Sequence, residues 1–167
     1  MYDKLTRSDI AKMEKEIEER RLVKRPELIA AVKEARAQGD LSENFEYHAA
    51  RREKSQNESR ITYLENMIKT AVIVEDSAKA DEVALNKSVE VYFPEDDETQ
   101  TFRIVTTIRG NSLKGLISID SPLGKALLHH KEGDRVHVAV NENTGYSVVI
   151  KKVGKAEDDA QDVIKGF

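Results

Sequence analysis

The feature that most constrains this chain is a pair of long charged segments with helical periodicity, joined by the short stretch GDLSENFEY at residues 39–47. In the second segment apolar residues recur at spacings of three and four: Ile61, Leu64, Ile68 and Ala71. This spacing predicts an α-helix from about Ser42 to about Val72, roughly 45 Å long. The predicted seam is polar at Asn57 and Lys54, and polar seam residues fix register at a cost in stability. Because the joining stretch is short, we expect an antiparallel coiled-coil hairpin.

The first segment carries signals for the start, the interruption and the end of a helix. Thr6 followed by Asp9 is typical of an N-cap whose third helical residue is acidic. The apolar pattern changes phase around Pro26, which predicts a kink or restart near residues 22–26. Gly39 is expected to end the helix, as glycines commonly do at helix C-termini.

In the second half of the chain the hydrophobic period is that of strands. Five runs alternate apolar and polar residues: SVEVYF (88–93), TFRIVTTI (101–108), GLISI (115–119), DRVHVAV (134–140) and YSVVIKKV (146–153). Turn-forming residues separate the runs, which predicts antiparallel strands. Between the third and fourth runs, Ser121 and Pro122 open a predicted short helix, SPLGKALLHH.

The predicted fold class is therefore α+β, an N-terminal antiparallel coiled-coil helical hairpin followed by an antiparallel β-sheet domain with a short helix. The expected divisions are a hairpin domain at 1–75, a linker at 76–82 and a β-sheet domain at 83–154. Residues 155–167 are mostly polar, and we expect them to form a loosely held tail.

Composition excludes several classes of function. The chain has no cysteine, which rules out disulfide frameworks and thiolate metal sites. Its net charge of −4 argues against gripping nucleic acid by bulk electrostatics. No apolar run approaches the roughly 18 residues of a membrane span, and the N-terminus lacks the apolar core of a signal peptide. We therefore expect a cytoplasmic protein.

Two carboxylates, Asp40 and Glu43, stand at the junction of the helical segments. In one interpretation Asp40 is an N-cap and Glu43 the third helical residue, so that the pair caps the second helix reciprocally. In the other, the two acids are hard oxygen ligands for Mg²⁺ at an exposed tip. Two carboxylates leave an Mg²⁺ shell incomplete, so the second interpretation requires a partner that supplies the remaining ligands.

Basic and aromatic residues flank these acids. Arg36, Arg51 and Arg52 are either solvated helix charges or contacts to a phosphate backbone, for which arginine forks are suited. We expect Tyr47 to pack across the hairpin. His48 has no acid or cysteine at metal-ligand spacing, so a metal role is not expected. The chain also lacks a phosphate loop, a nucleophile elbow and an HExxH motif, so no free-standing enzyme activity is expected.

Three stretches together resemble the bacterial Gre transcript cleavage factors, in their GreA-like form: RPELIAAVKEAR (25–36), GDLSENFEYHAAR (39–51) and ISIDSPLGKALLHHKEGDRVHV (117–138). The resemblance covers roughly residues 5–153. It implies that the hairpin is followed by an FKBP-like domain that binds RNA polymerase. It also implies that the hairpin enters the secondary channel of a backtracked polymerase and stimulates the polymerase to cleave its nascent RNA.

The resemblance assigns roles to residues of the tip. Asp40 and Glu43 would donate ligands to an Mg²⁺ ion shared with the polymerase active site, with no cofactor in the isolated protein. Residues expected to contact RNA or polymerase are Arg36, Ser42, Asn44, Phe45, Tyr47, Arg51 and Arg52. Residues expected to dock on polymerase are Ser121, Pro122, Leu123, Leu127 and Leu128, although these leucines could equally pack on the sheet. The protein is expected to act as a monomer.

Phe45 departs from the family pattern, in which a small residue is more frequent at this position. The aromatic ring could stack on a base or on the polymerase wall, or could plug the hairpin. It supports one alternative function, an inhibitor that occludes the channel without stimulating cleavage. A second alternative, prolyl isomerisation, follows from the FKBP-like fold but is disfavoured because residues 76–153 offer few aromatics: Tyr92, Phe93, Phe102 and Tyr146.

Overall fold

The computed structural model describes residues 3–39, 43–74, 79–156 and 162–164. The chain divides into two compact units, Met1–Ile73 and Val74–Gly166. The first is a helical hairpin and the second is built on a β-sheet, which confirms the α+β class. No helix among the described residues combines the length and the apolar character that crossing a membrane requires.

The described residues of the first unit form three α-helices, a π-helical turn and two very short strands. Its elements are β1 (Lys4–Leu5), α1 (Arg7–Glu19), a π-helical turn (Arg20–Lys24), α2 (Arg25–Arg36), α3 (Phe45–Thr70) and β2 (Val72–Ile73). The predicted cap of α1 is confirmed, because Thr6 Oγ1 accepts from the Asp9 amide at 3.1 Å. The Thr6 amide in turn donates to the Asp9 carboxylate at 2.9 Å. These reciprocal bonds satisfy amides that a helix start otherwise leaves without partners.

The interruption predicted near residues 22–26 is the π-helical turn Arg20–Lys24. Asn57, which is buried, faces this turn from α3. Its side-chain amide donates to the Arg20 carbonyl at 3.3 Å, and its oxygen accepts from Arg20 Nη1 at 3.0 Å. A π-turn breaks the regular ladder of helix hydrogen bonds. Asn57 therefore satisfies polar groups of the irregular turn and fixes the register between the two arms, as its seam position predicted.

The arms of the hairpin are joined by an apolar seam and by ion pairs. Met13 and Ile17 of α1, and Ile61 and Leu64 of α3, are buried. Glu16, which is 28% exposed, accepts hydrogen bonds from Arg60 of α3 at 2.8 and 3.1 Å and from Arg20 at 2.8 Å. Burial raises the pKa of Glu16, but the hydrogen bonds and charges of Arg60 and Arg20 outweigh it and lower that pKa overall.

The ends of α3 differ from the prediction. The helix begins at Phe45 rather than near Ser42 and ends at Thr70, so it is about 39 Å long. Val72 belongs to β2, which pairs in parallel with β1 through Lys4↔Val72 and Leu5↔Ile73. Two-residue strands are too short to show an alternating pattern, which is why the sequence did not reveal this pair.

The described residues of the second unit form five strands, one α-helix and two short 3₁₀ turns. The strands and the α-helix are β3 (Lys87–Phe93), β4 (Glu98–Val105), β5 (Leu116–Ser118), α4 (Pro122–Leu127), β6 (Arg135–Ala139) and β7 (Gly145–Ala156). The strand order is β5-β4-β3-β7-β6. Strand β3 is antiparallel to β4 and β7, and β6 is antiparallel to β7. The short helix predicted after Ser121 is confirmed, with the Ser121 hydroxyl as its cap.

The prediction that all strands are antiparallel is wrong for β5, which is parallel to β4. The chain between them crosses over through the 3₁₀ turns Thr107–Arg109 and Ser112–Lys114 instead of folding back as a hairpin. Residues 107–108, predicted as strand, lie in the first of these turns. Gly115 follows the second turn at φ 71°, a conformation that side chains disfavour.

The core of the second unit lies between one face of the sheet and α4. Its fully buried side chains are Val83, Val89, Val91, Ile104, Leu127, Val138, Val148 and Ile150. Burying each side chain of this kind contributes about 1.5–3 kcal/mol. Along β3 and β6 the buried side chains alternate with more exposed ones, as in the predicted pattern, whereas the adjacent residues Ile104 and Val105 of β4 are both buried.

The prediction of a loosely held tail at residues 155–167 is wrong for the part that the structure describes. Strand β7 extends to Ala156, beyond the predicted domain end. Further along, the Asp162 side chain is 5% exposed and Ile164 is 8% exposed. Because this segment is polar in composition, its buried carboxylate could not be recognised without knowing its partners, which lie more than 50 residues away.

Candidate functional site at the hairpin tip

Asn44 organises the described part of the tip by bonding to both arms of the hairpin. Its side-chain oxygen accepts from the Tyr47 amide at 3.0 Å, which makes Asn44 the N-cap of α3. Its side-chain amide donates to the carbonyl of Ala35, near the end of α2, at 2.7 Å. A single side chain thus starts one helix and ties it to the end of the other.

Glu43 lies immediately before this cap and outside the helix. The reciprocal capping interpretation is therefore wrong for Glu43, because it is not the third helical residue and Asn44 performs the capping. The Glu43 side chain is exposed, and within the described residues no hydrogen bond or ion pair holds its carboxylate. Its predicted companions Asp40 and Ser42 lie outside the described residues.

Arg36, Tyr47 and Arg51 form a basic and aromatic cluster where α2 ends and α3 begins. The guanidinium carbon of Arg36 lies 5.7 Å from the centroid of the buried Tyr47 ring, close enough for a cation–π contact. A hydrogen bond from Arg36 lowers the pKa of Tyr47, and the charges of Arg36 and Arg51 act in the same direction. The prediction that Tyr47 packs across the hairpin is confirmed. Arg36, Arg51 and Arg52 all expose their side chains to solvent.

Phe45 is 86% exposed as the first residue of α3. The interpretation in which its ring plugs the hairpin is therefore wrong, and the ring is available to an external partner. The His48 ring contacts the Tyr47 ring in a tilted arrangement, with ring centroids 5.5 Å apart. Across the described ranges no group of three or more His, Asp or Glu side chains is placed to hold a metal ion.

The residues predicted to dock on a partner divide into exposed and buried ones. Pro122 is exposed, and Ser121 is held by accepting from the Gly124 amide at 3.0 Å and donating to the Ser118 carbonyl at 2.7 Å. Leu123 and Leu128 are partly buried against the core of the second unit. Leu127 is fully buried there, so the docking prediction is wrong for this residue.

Aromatic side chains of the second unit pack on one another beside a small cleft. Phe93 packs on Phe102 and Tyr146, with ring centroids 6.1 and 6.2 Å apart. The cleft beside Phe93 and Tyr146 has a volume of about 200 Å³ and is edged by Glu95 and Asp96. This volume is below the roughly 300–1,000 Å³ of ligand pockets.

Comparisons with known proteins match both units. The model described as transcription elongation factor, N-terminal, matches residues 4–73, and the model described as transcription elongation factor, GreA/GreB, C-term, matches residues 78–155. The chain is 43% identical over 150 residues to transcription elongation factor GreA of Geobacillus kaustophilus, covering 89% of this chain and 93% of that protein. It is 38% identical over 154 residues to the GreA of Oenococcus oeni, covering 92% and 95%.

Among solved structures, the GreA factor homolog 1 (Gfh1) protein of Thermus thermophilus is 26% identical, with a TM-score of 0.42, covering 93% of this chain and all of that one. A second Gfh1 structure is also 26% identical, with a TM-score of 0.45, and covers 92% and 97%. The matches to both units define the class of this protein as a transcription elongation factor. More particularly, the chain belongs to the GreA/GreB family.

The sequence identified the tip but missed two arrangements that position side chains. Asn44 was recognised only as part of a motif, although an asparagine three residues before Tyr47 at a helix start is itself an N-cap signal. The burial of Asp162 against two arginines carried no local signal. Both arrangements depend on residues brought together by the fold.

Proposed function

We propose that this protein inserts its hairpin tip into the secondary channel of a backtracked RNA polymerase and stimulates the polymerase to cleave its nascent RNA. Cleavage releases the extruded 3′ fragment and leaves a new 3′ end at the active site, from which the arrested complex resumes synthesis. The protein acts in the cytoplasm as a monomer, on the RNA 3′ end held by the polymerase. It has no RNA-cleaving activity of its own.

The observation that supports this proposal is that the Glu43 carboxylate is exposed and does not cap α3. A carboxylate at a helix start is most simply explained as a cap, but Asn44 performs that role here. Glu43 is left exposed at the turn between the two arms, where it can reach an external centre. Within a long hairpin, a tip so placed can enter a channel that excludes a bulky domain.

Glu43 and Asp40 are the residues of this protein that would hold a magnesium ion, and the polymerase would supply the remaining ligands. An exposed carboxylate such as that of Glu43, which does not cap α3, fits a hard cation that prefers oxygen ligands. When bound, such an ion lowers the pKa of a water molecule and stabilises the leaving oxygen. Two carboxylates fill only part of an octahedral shell, so the isolated protein should not bind Mg²⁺ tightly.

The cluster of Arg36, Tyr47 and Arg51 supports a contact with RNA. Arg36 and Arg51 are exposed and on opposite arms, so their guanidinium groups can approach one phosphate backbone from two sides. Tyr47 orients Arg36 through the hydrogen bond and the cation–π contact. Together these side chains would hold the RNA 3′ segment while the acids face the scissile phosphate.

Exposure of Phe45 favours the second candidate function, occlusion of the channel without stimulated cleavage. An aromatic ring that is 86% exposed at the tip can pack on a channel wall or stack on a base. The two candidates differ in the response to Phe45→Ala. A cleavage factor should keep its maximal cleavage and lose some affinity, whereas an occluding inhibitor should lose inhibition and never release RNA.

The deciding experiment incubates full-length variants with a stalled, backtracked elongation complex and measures release of the 3′ RNA fragment. We expect Asp40→Asn with Glu43→Gln to abolish stimulated cleavage while polymerase binding stays nearly unchanged, since amides keep the size but lose the charge. Glu46→Gln is the matched control, because it removes a neighbouring exposed carboxylate in the first turn of α3. Normal cleavage by the double variant would refute the metal-ligand role.

A further inference from the structure

The segment at residues 162–164 lies outside the residues that the two family models match, yet its carboxylate is built into the second unit. One Asp162 oxygen accepts from Arg103 Nη2, and the other lies 3.4 Å from Arg109 Nη1. The three side chains are 5%, 10% and 2% exposed, in the order Asp162, Arg103 and Arg109. The carboxylate is therefore shared between two nearly buried guanidinium groups.

The chemistry of this cluster requires a carboxylate at that position. Two guanidinium groups withdrawn from water repel each other and lose their hydration. A single carboxylate offers one oxygen to each group, which suits the planar donor geometry of arginine. Arg103 and Arg109 thus form a carboxylate-binding site, and the chain fills it with its own Asp162.

Arg109 connects this site to the segment that leads into α4. It belongs to the 3₁₀ turn Thr107–Arg109, whose first residue bonds to residues 118–121, here called the docking loop. Thr107 Oγ1 lies 2.8 Å from the Ser118 hydroxyl and donates to the Asp120 carboxylate at 2.7 Å. The Asp120 amide donates back to the Ser118 hydroxyl at 3.0 Å, which closes a ring of hydrogen bonds.

The docking loop is also tied to the end of β4. The Ile119 amide donates to the Val105 carbonyl at 2.9 Å, and the Ser121 amide donates to the Ser118 carbonyl at 3.1 Å. Because only Thr106 separates Val105 from the 3₁₀ turn, a shift of that turn would disturb both the Val105 bond and the Thr107 bonds to the loop. A contact that fixes the position of Arg109 therefore also restrains the docking loop.

We infer that Asp162 is a positioning residue, which keeps the docking loop in one conformation by binding Arg109 from outside the sheet. Only the consequence for polymerase rests on the proposed function: a loop with a fixed Ser121 and Pro122 binds the partner surface without first being ordered. Pre-ordering of this kind raises affinity because less conformational freedom is lost on binding.

The test is amide hydrogen exchange of the full-length protein, which needs no polymerase. We expect Asp162→Asn, which removes the charge at constant size, to accelerate exchange of the Ile119 and Ser121 amides about tenfold or more. The Ile150 amide, bonded to Asp134 at 2.9 Å, should keep its rate. Glu142→Gln is the matched control, because it removes one exposed carboxylate from the same unit.

Unchanged exchange at Ile119 and Ser121 would overturn the inference. A uniform increase that includes Ile150 would also overturn it, since Asp162 would then act on the stability of the whole unit. Asp162→Glu keeps the charge with a longer side chain, and it should restore at least part of the protection at the two loop amides.

A second measurement addresses the consequence for polymerase. Asp162→Asn should weaken binding to the elongation complex about tenfold, while cleavage at saturating factor stays unchanged. Accelerated loop exchange with unchanged affinity would refute the docking role of the loop and leave its coupling to Asp162 standing. If even the unmodified protein fails to stimulate cleavage, the proposed function fails, and the exchange result still decides the inference.

Discussion

Replacing Asn44 by alanine should loosen the tip of the hairpin, and the structure sets the size of the effect. The variant loses the N-cap of α3, whose removal typically costs about 1 kcal/mol. It also loses the bond to the Ala35 carbonyl, which contributes about 0.5–1.5 kcal/mol. The expected total is about 2 kcal/mol, and a change of that size alters a local opening equilibrium by a factor of roughly 30.

Asn44→Ser separates the two contributions. Serine retains a good capping oxygen but has no amide to reach Ala35, so we expect it to lose about 1 kcal/mol, half of the alanine effect. Hydrogen exchange of the His48 amide, which donates to the Asn44 carbonyl at 3.1 Å, reports opening of the first turn directly. RNA release at saturating factor should fall in the same order, because a loosened tip presents Glu43 in many orientations.

Asn66→Ala provides the control, since Asn66 is an exposed residue inside α3 and its side chain is remote in sequence from the tip. It should leave exchange at His48 within twofold of the unmodified protein. An alanine variant at position 44 with unaltered exchange at His48 would refute the reasoning. Equal damage from serine and alanine would show that the cap contributes nothing and that the bond to Ala35 carries the effect.

Two further predictions concern the hairpin arms. Asn57→Ala should lower the free energy of unfolding in urea by about 1–3 kcal/mol, because the Arg20 carbonyl loses one of its donors and Arg20 Nη1 loses its acceptor, whereas the exposed neighbour Gln56→Ala should have little effect. The pKa of Glu16 is lowered in the folded state from its ordinary 4.5, so its stabilising contribution is present above that value and is lost as pH falls through the lower folded pKa. Urea titrations between pH 7 and 3 should therefore show a shallower loss of stability in Glu16→Gln, and identical slopes would contradict the ion-pair assignment.

The elements with a regular apolar period were predictable from the sequence, and the irregular ones were not. Alternation identified the strands, because a strand that packs one face on a core needs an apolar residue at about every second position. The parallel pairing of β5 could not be derived, since the direction of a strand depends on the path of its crossover. A polar tail could not be recognised as packed, because the charges of Arg103 and Arg109 become its partners only after folding.

At the tip, the sequence identified the residues but assigned the cap incorrectly. Two overlapping capping patterns compete there, one beginning at Asp40 and one at Asn44. The second describes α3, because Asn44 gains a bond to Ala35 on the other arm in addition to its cap. Propensity alone does not include a contact between two helices, so the start of α3 was misplaced by three residues.

The parallel pair of β1 and β2 is one of three pairings that fix the register between the two arms of the hairpin. Lys4 is aligned with Val72 at one end, Arg20 with Asn57 in the middle, and Ala35 with Asn44 at the other end. Inserting one residue in a single arm shifts at least one of these pairings out of register. The hairpin can therefore become longer and keep these pairings only if both arms gain equal insertions. Each insertion would be about seven residues, which is roughly 10 Å of helix.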